Sequence, residues 1–387
     1  MTKKNAEFDI IVYGASGFTG RLVAEYLAAQ GVKNWAMGGR SLSKLAEVRD
    51  EMGLPSSTPL VAADSDNPAT LIEMCKRARV ILTTVGPYQL YGAELVAACA
   101  ETGTDYVDLC GEPAWMREMI DAHDARAKET GARIVFSCGF DSIPFDLGVW
   151  FLQREAVKAH GKPAPRVKGR VRKMQGGASG GTIASLTETM KAAAKNPKII
   201  GILKSSFGLT PGFEGPAQPS GLMPEYDSAT GTWTAPFVMA PINTKNVHRS
   251  NFLLGHPYGR DFVYDEMIMT TIGDAGRAMA EAIAKANPFG EAKLKPGEGP
   301  SKDERENGFY DLLFIGEYPD GTAIRASVKG DKDPGYGSTS KMIAESALTL
   351  LENETPGGVV TPGAVIAAPL LERLVANAGL TFGVEVA

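Results

Sequence analysis

Three glycines, Gly14, Gly17 and Gly20, follow the apolar run DIIVYG (9–14) at three-residue spacing. Glycine allows a backbone to bend sharply and to approach a ligand without a Cβ in the way. At a strand-to-helix turn the backbone N–H groups and the positive end of the helix dipole converge on one point, which is the chemistry of pyrophosphate binding. The G-x-x-G-x-x-G spacing carries one residue more than the G-x-G-x-x-G dinucleotide fingerprint, so the reading rests on the strand–helix setting as well as on the triad. Ser16, Phe18 and Thr19 complete the turn as expected cofactor contacts.

The residues after the second strand select the dinucleotide. An NAD site places a carboxylate about 20 residues on, where it binds the ribose 2′-OH. Here the strand ends in Gly38-Gly39-Arg40-Ser41, and no acid occurs between Trp35 and Ala46. Arg40 is placed to pair with a 2′-phosphate, with Ser41 and Lys44 as further donors, so the expected cofactor is NADP(H). Asp64, closing the third strand, is a candidate acceptor for the adenine amino group.

In an open sheet the nicotinamide lies beyond the carboxyl ends of the later strands. Those ends read Val85-Gly86-Pro87-Tyr88, Asp108-Leu109-Cys110-Gly111-Glu112 and Cys138-Gly139-Phe140-Asp141-Ser142. Val85, Gly86 and Pro87 are expected against the cofactor. Tyr88 is the candidate proton donor and Tyr91 a candidate substrate contact, although either can equally be a structural aromatic. Asp141 reads first as the N-cap of a helix starting at Ile143, and otherwise, with Ser142, as a substrate contact. A helix opening Gly180-Gly181-Thr182 offers backbone donors toward the cleft, with Thr182 a candidate substrate contact. No Tyr-x-x-x-Lys pair, G-x-S-x-G elbow or P-loop occurs, and the four histidines are scattered, so no metal site is expected.

These residues need a scaffold, and the first 150 positions provide its pattern. Short apolar runs alternate with helix-period segments six times, the signature of a parallel sheet with crossover helices. The fold class is α/β, with an N-terminal Rossmann domain, a doubly wound parallel sheet, over residues 1–151. A second, α+β domain is expected over 152–330, where RVKGRVRKMQ (166–175) alternates as a strand and PDG (319–321) closes a hairpin. Residues 331–387 are expected to pack back on the Rossmann domain. Residues 197–258, rich in Pro, Gly and Phe, show little periodicity and read as a lid or substrate-contacting excursion. Their apolar members (Phe207, Leu209, Phe213, Leu222, Met223, Trp233, Phe237, Met239) either cover an apolar substrate or form the second core.

The chain has 387 residues, 44% of them apolar and 22% charged, and a net charge of −5, which gives no reason to expect nucleic acid as a partner. Four cysteines without a C-x-x-C pair suit a reduced, cytoplasmic protein, and no window is apolar enough for a membrane span. A peripheral contact with a membrane and a homodimer both stay open.

The segments GASGFTGRLVAEYL, VGPYQLYG, GTDYVDLCGE and CGFDSIPFDLG resemble the saccharopine dehydrogenase-like oxidoreductases, a group that includes trans-acting enoyl reductases of lipid biosynthesis. The likeness continues through SGGTIASLTE, PFVMAPINTKNVHRSNFLLG, GDKDPGYGSTSKMIAESALTL and GGVVTPGAV. It implies NADPH-dependent reduction of a C=C bond in an apolar, lipid-linked acyl substrate. The alternative within the group is an imine or ketone reductase of an amino-acid-type substrate, which needs arginines for two carboxylates; Arg172, Lys173, Arg249 and Arg325 are the candidates. A third reading is a non-catalytic NADP-binding protein.

Overall fold

The computed structural model describes residues 6–176, 180–286 and 299–386. Its first sheet is built from β1 (Phe8–Tyr13), β2 (Trp35–Gly39), β3 (Leu60–Ala62), β4 (Ala78–Thr83), β5 (Asp105–Val107) and β6 (Arg133–Val135). The second sheet takes β7 (Arg166–Gln175), β8 (Glu225–Asp227), β9 (Thr232–Pro236), β10 (Val263–Met269), β11 (Phe309–Glu317) and β12 (Ala323–Gly330). Two late strands, β13 (Gly358–Val360) and β14 (Leu380–Glu385), go one to each sheet.

The first sheet runs β13-β6-β5-β4-β1-β2-β3, and every pairing is parallel. The order reverses between β1 and β4, which makes this the doubly wound arrangement with its switch point at the glycine turn. Its strands are apolar on both faces. Ile10, Val12, Val80 and Leu82 pack in one core with helices Phe18–Ala29 and Thr339–Glu352. Ile11, Ile81, Tyr106 and Ile134 pack in another, with Leu71, Leu95, Trp115 and Met119 of the opposite helices. Burial on both faces explains why these strands read as continuous apolar runs.

The second sheet is mixed, in the order β14-β12-β11-β7-β10-β9-β8, with β7 and β10 parallel and the other pairs antiparallel. Its inner face (Val167, Val171, Leu312, Phe314, Ala326, Val328) joins the first of the two cores. Helix Ile143–His160 mediates that union and runs unbroken through residue 151. Gly148 lets it lie close, since a Cβ there would stand 2.4 Å from the Phe314 ring. On β7 the alternate residues Arg166, Lys168, Arg170 and Arg172 do not face water as free charges. They pair with Asp265, Asp227, Glu317, Asp311 and Glu385. Among the described residues no helix is long and apolar enough to cross a membrane.

Candidate cofactor and active site

The glycine turn joins β1 to helix Phe18–Ala29. Gly14 has a φ of +91°, and a Cβ on it would meet Val85 Cγ2 at 2.8 Å. A Cβ on Gly20 would lie 2.2 Å from the Gly14 carbonyl oxygen, so only glycine lets the helix sit this near the turn. The Gly14 and Ala15 amides donate to the Gly38 carbonyl, which moors the turn to the end of β2. Gly17 is the N-cap and places no side chain on the first helical N–H groups, around Phe18 and Thr19. Gly17 is exposed and Ser16 half-buried beside it. Uncapped N–H groups at a helix start, with no Cβ over them, fit a pyrophosphate. The Phe18 ring stands edge-on to Tyr336 at 4.8 Å.

Arg40 follows β2 directly. It is exposed and has no ion pair among the described residues, so its guanidinium is available to an anion. Asp64 is half-buried close by, one carboxylate oxygen accepting from the Asp66 amide at 3.1 Å. Both charges act on the buried Tyr13 hydroxyl: burial and Asp64 push it up to about 12, and Arg40 opposes them. Arg40 and Asp64 therefore flank one spot, suited to an adenosine 2′-phosphate and its base. Ser41 caps the helix Leu42–Glu51, its oxygen accepting from the Lys44 amide at 3.2 Å, and so serves structure first. Lys44 holds Glu47 in an exposed pair at 2.9 Å, which is weak enough to exchange for a phosphate.

At the far end of the switch point lies the turn after β4. Val85 packs against Gly14, and the Gly86–Pro87 bond is cis. Glu112 organises the next residues of this turn. Its carboxylate accepts from the amides of Tyr88 and Gln89, each at 2.9 Å, and from the Ser185 hydroxyl at 2.7 Å. The turn is thereby fastened to helix Gly180–Lys195, which Gln89 also reaches through Thr189 at 3.3 Å. Thr182 lies in the first turn of that helix, its side chain outside the described residues.

Tyr88 does not suit the part of proton donor. Its ring is buried against Trp115, and its hydroxyl accepts from the Leu109 amide at 3.0 Å and donates to the Thr83 carbonyl. Burial and the charge of Asp108 push that hydroxyl well above its ordinary range. Tyr91, by contrast, is 40% exposed, as is Leu90 beside it at 54%. Asp141 corrects a second expectation. The N-cap of helix Ile143–His160 is Ser142, without a side-chain cap bond, so the Asp141 carboxyl is not spent on the helix. Ser142 is buried and accepts from Asn246 Nδ2 at 2.8 Å, which makes it a structural contact. Asp141 itself is half-buried, has no hydrogen-bond partner among the described residues, and is raised by burial to about 7.

Helix Ala240–Leu253 falls within the stretch that reads from sequence as an irregular excursion. Asn243, Lys245, Asn246, His248, Arg249, Ser250 and Asn251 are all buried in it. Lys245 donates to the carbonyls of Leu203 and Pro241, and Arg249 to those of Leu209 and Val359. Burial lowers Lys245 to about 8 and His248 to about 3, so the imidazole is neutral. The available signal is composition: NTKNVHRSN is polar at every position but one, free of Gly and Pro, and lacks the apolar stripe of a surface helix. The apolar residues of 197–258 divide between core and surface. Phe207, Leu209 and Phe237 are core, whereas Leu222 and Met223 are exposed.

Residues 10–135 match the saccharopine dehydrogenase NADP binding domain family. A Mycobacterium tuberculosis protein named as a trans-acting enoyl reductase is 41% identical over 97% of both chains. A trans-acting enoyl reductase of Mycobacterium ulcerans is 38% identical, again over 97% of each. In fold the chain resembles the L-Glu-forming saccharopine dehydrogenase of Saccharomyces cerevisiae, with a TM-score of 0.56, 13% identity and coverage of 98% of this chain and 100% of that one. The glycine turn, the free Arg40 and the whole-length similarity agree: the chain belongs to the trans-acting enoyl reductases, a saccharopine dehydrogenase-like family of NADP-dependent oxidoreductases.

Proposed function

We propose that the protein reduces the C=C bond of an apolar enoyl substrate at the carboxyl end of the first sheet. NADPH, when bound, supplies the hydride. The turn Gly14–Gly20 holds its pyrophosphate, Arg40 its 2′-phosphate and Asp64 its adenine, while Val85, Gly86 and Pro87 border the reacting end. Tyr91 and Leu90 offer an apolar surface there for the acyl chain.

The observation that carries the choice of substrate is the state of the arginines. An amino-acid substrate requires free guanidinium groups for its carboxylates. Arg172 is already held by Asp311 and Glu385, Arg249 is buried on main-chain carbonyls, and Arg325 donates to the Ala229 carbonyl. The amino-acid alternative is therefore not favoured.

The test is NADPH oxidation with enoyl thioesters of increasing chain length. Each methylene buried contributes about 0.8 kcal/mol, so kcat/KM should rise roughly threefold to fourfold per carbon until the site is filled. Turnover of a keto acid with an amino acid, and none of any enoyl thioester, would overturn the reading. A lipid-linked substrate also suits a surface feature. Lys195, Lys198 and Lys204 are exposed beside exposed Met190 and Ile200 on helices Gly180–Lys195 and Pro197–Lys204, which supports peripheral contact with an anionic membrane. Cosedimentation with anionic but not with neutral vesicles is the expected result.

A further inference from the structure

Reduction of an enoyl bond has one requirement that the cofactor-binding residues do not meet. A hydride at the β-carbon must be matched by a proton at the α-carbon, and Tyr88 is too deeply bonded to give it. We propose that Asp141 is the proton donor, with Glu266 of the second sheet, braced through the same helix, as the buried carboxyl that tunes it. The inference rests on the enoyl reading above.

Asp141 stands just beyond β6, at the same end of the first sheet as Gly14, Arg40 and Val85. Its neighbour Ser142 is gripped by Asn246, and one helical turn earlier Asn243 donates to Glu266 Oε2 at 2.9 Å. The Tyr264 hydroxyl donates to Glu266 Oε1 at 2.9 Å. Helix Ala240–Leu253 thus braces the Asp141 turn and the Glu266 carboxyl with two asparagines on one face, at i and i+3. Gly169 on β7 makes the room: a Cβ there would meet the Tyr264 hydroxyl at 2.8 Å and Glu266 Cγ at 3.1 Å. Among the described residues, the charges that act on Glu266 include Asp141 from the first domain and Asp265 from its own strand.

These contacts define the protonation states. Glu266 is fully buried and held well above the carboxylate range by that burial, with the charges of Asp265 and Asp141 adding to it. It stays neutral, because full burial disfavours the charged carboxylate. Asp141 is the member of the pair that loses its proton, near neutrality. In the reaction the Asp141 O–H bond breaks as the C–H bond forms at the α-carbon, taking up the electron pair released from the C=C bond. Asp141 is left as carboxylate and regains its proton from water after product leaves. A donor whose ordinary state changes near the working pH is matched to this task.

Two measurements test the assignment. Carbon-13 NMR titration of the NADP⁺ complex, assigned by Asp141→Asn, should show Asp141 ionising near 7; a value of about 5 or below, close to an ordinary carboxyl, overturns the proposal. Glu266→Gln should leave that step near 7, since a neutral amide replaces a neutral acid. Glu266→Ala should move it down towards the ordinary range as water enters; no difference between the two variants removes Glu266 from its role. In single turnover, Asp141→Asn should slow reduction by about 100-fold or more, the usual contribution of a general acid, with NADPH affinity within about twofold of wild type. If Asp141→Asn keeps more than a tenth of the rate, Asp141 is not the donor. If the wild type reduces no enoyl thioester, it is the enoyl reading that fails, and the titration still judges the carboxyl.

Discussion

Arg40 carries more of the cofactor assignment than any other side chain, because a glycine turn binds any pyrophosphate and says nothing of the 2′ position. A hydrogen-bonded charge pair of this kind contributes about 1.5–3 kcal/mol. Arg40→Ala should therefore weaken NADPH binding by roughly 10-fold to 100-fold and leave NADH nearly untouched, as read by nucleotide fluorescence; an unchanged ratio removes Arg40 from the site. At the same scale, Asp141 gives the folded protein a signature in pH. Its carboxyl is raised to about 7 in the native state, above the ordinary 3.8. Between those values the folded chain keeps a proton that the unfolded chain has released. By linkage this contribution is complete below the unfolded pKa and is lost as pH rises through the folded one. Asp141→Asn should accordingly gain on the wild type in denaturant unfolding as pH rises from about 4 to 7, and the gap should be level above that. A gap independent of pH would mean that the carboxyl is not raised at all.

The elements around the site differ in how plainly the sequence announces them, and Gly20 shows the clear case. Its place inside the first helix follows from the spacing of the triad, and the structure supplies the reason, a helix pressed onto the Gly14 carbonyl. Gly20→Ala inserts a methyl group where there is no room. Overpacking of this kind costs typically about 1–3 kcal/mol. The variant should melt lower and bind NADPH more weakly, because the helix start that faces the pyrophosphate must shift; calorimetry with and without NADPH reads both effects. The six N-terminal strands of the first sheet are equally legible, since burial on both faces writes itself as runs such as DIIVYG and ARVILTTV, whereas β13 passes unread. Helix Ala240–Leu253 is not, and nor are helix Pro197–Lys204 and strands β8 and β9, within the same stretch of 197–258. A helix buried on all sides by main-chain carbonyls and carboxyls needs polar residues all round, so it shows no apolar period. Asp141 escapes a sequence reading for a related reason. An acid just ahead of a helix is a common cap, and only the fold shows Ser142 occupying that position with the Asp141 carboxyl left over.

At the scale of the whole molecule, residues 331–387 belong to both halves rather than to the first alone. Helix Thr339–Glu352 lies against the first sheet, where Glu345 accepts from the Tyr26 hydroxyl at 2.7 Å and from Arg373 at 2.7 Å. β13 then extends that sheet beside β6, helix Ala367–Asn377 crosses over, and β14 closes the second sheet along β12. Sequence periodicity shows a strand such as β14 but not its partner, since pairing between strands far apart in the chain leaves no local trace. The two ends of this segment should therefore fail differently when removed. A chain ending at Asn377 loses β14, the Arg172–Glu385 pair at 2.6 Å and the contact of Phe382 with Phe151 of helix Ile143–His160, all on the second sheet's side. If those contacts contribute about 3 kcal/mol, the melting temperature should fall by roughly 4 °C, given an unfolding entropy of about 2.1 cal/mol/K per residue. NADPH should still stabilise this truncated chain, because the glycine turn and Arg40 lie in the other sheet. A chain ending at Asn353 loses β13 as well and uncovers the edge of β6, from which the Asp141 turn leaves. There NADPH stabilisation should shrink along with the intrinsic stability. Equal loss of NADPH stabilisation in the two truncations would mean that the sheets fold and bind as one unit, with β14 as necessary to the cofactor site as β13.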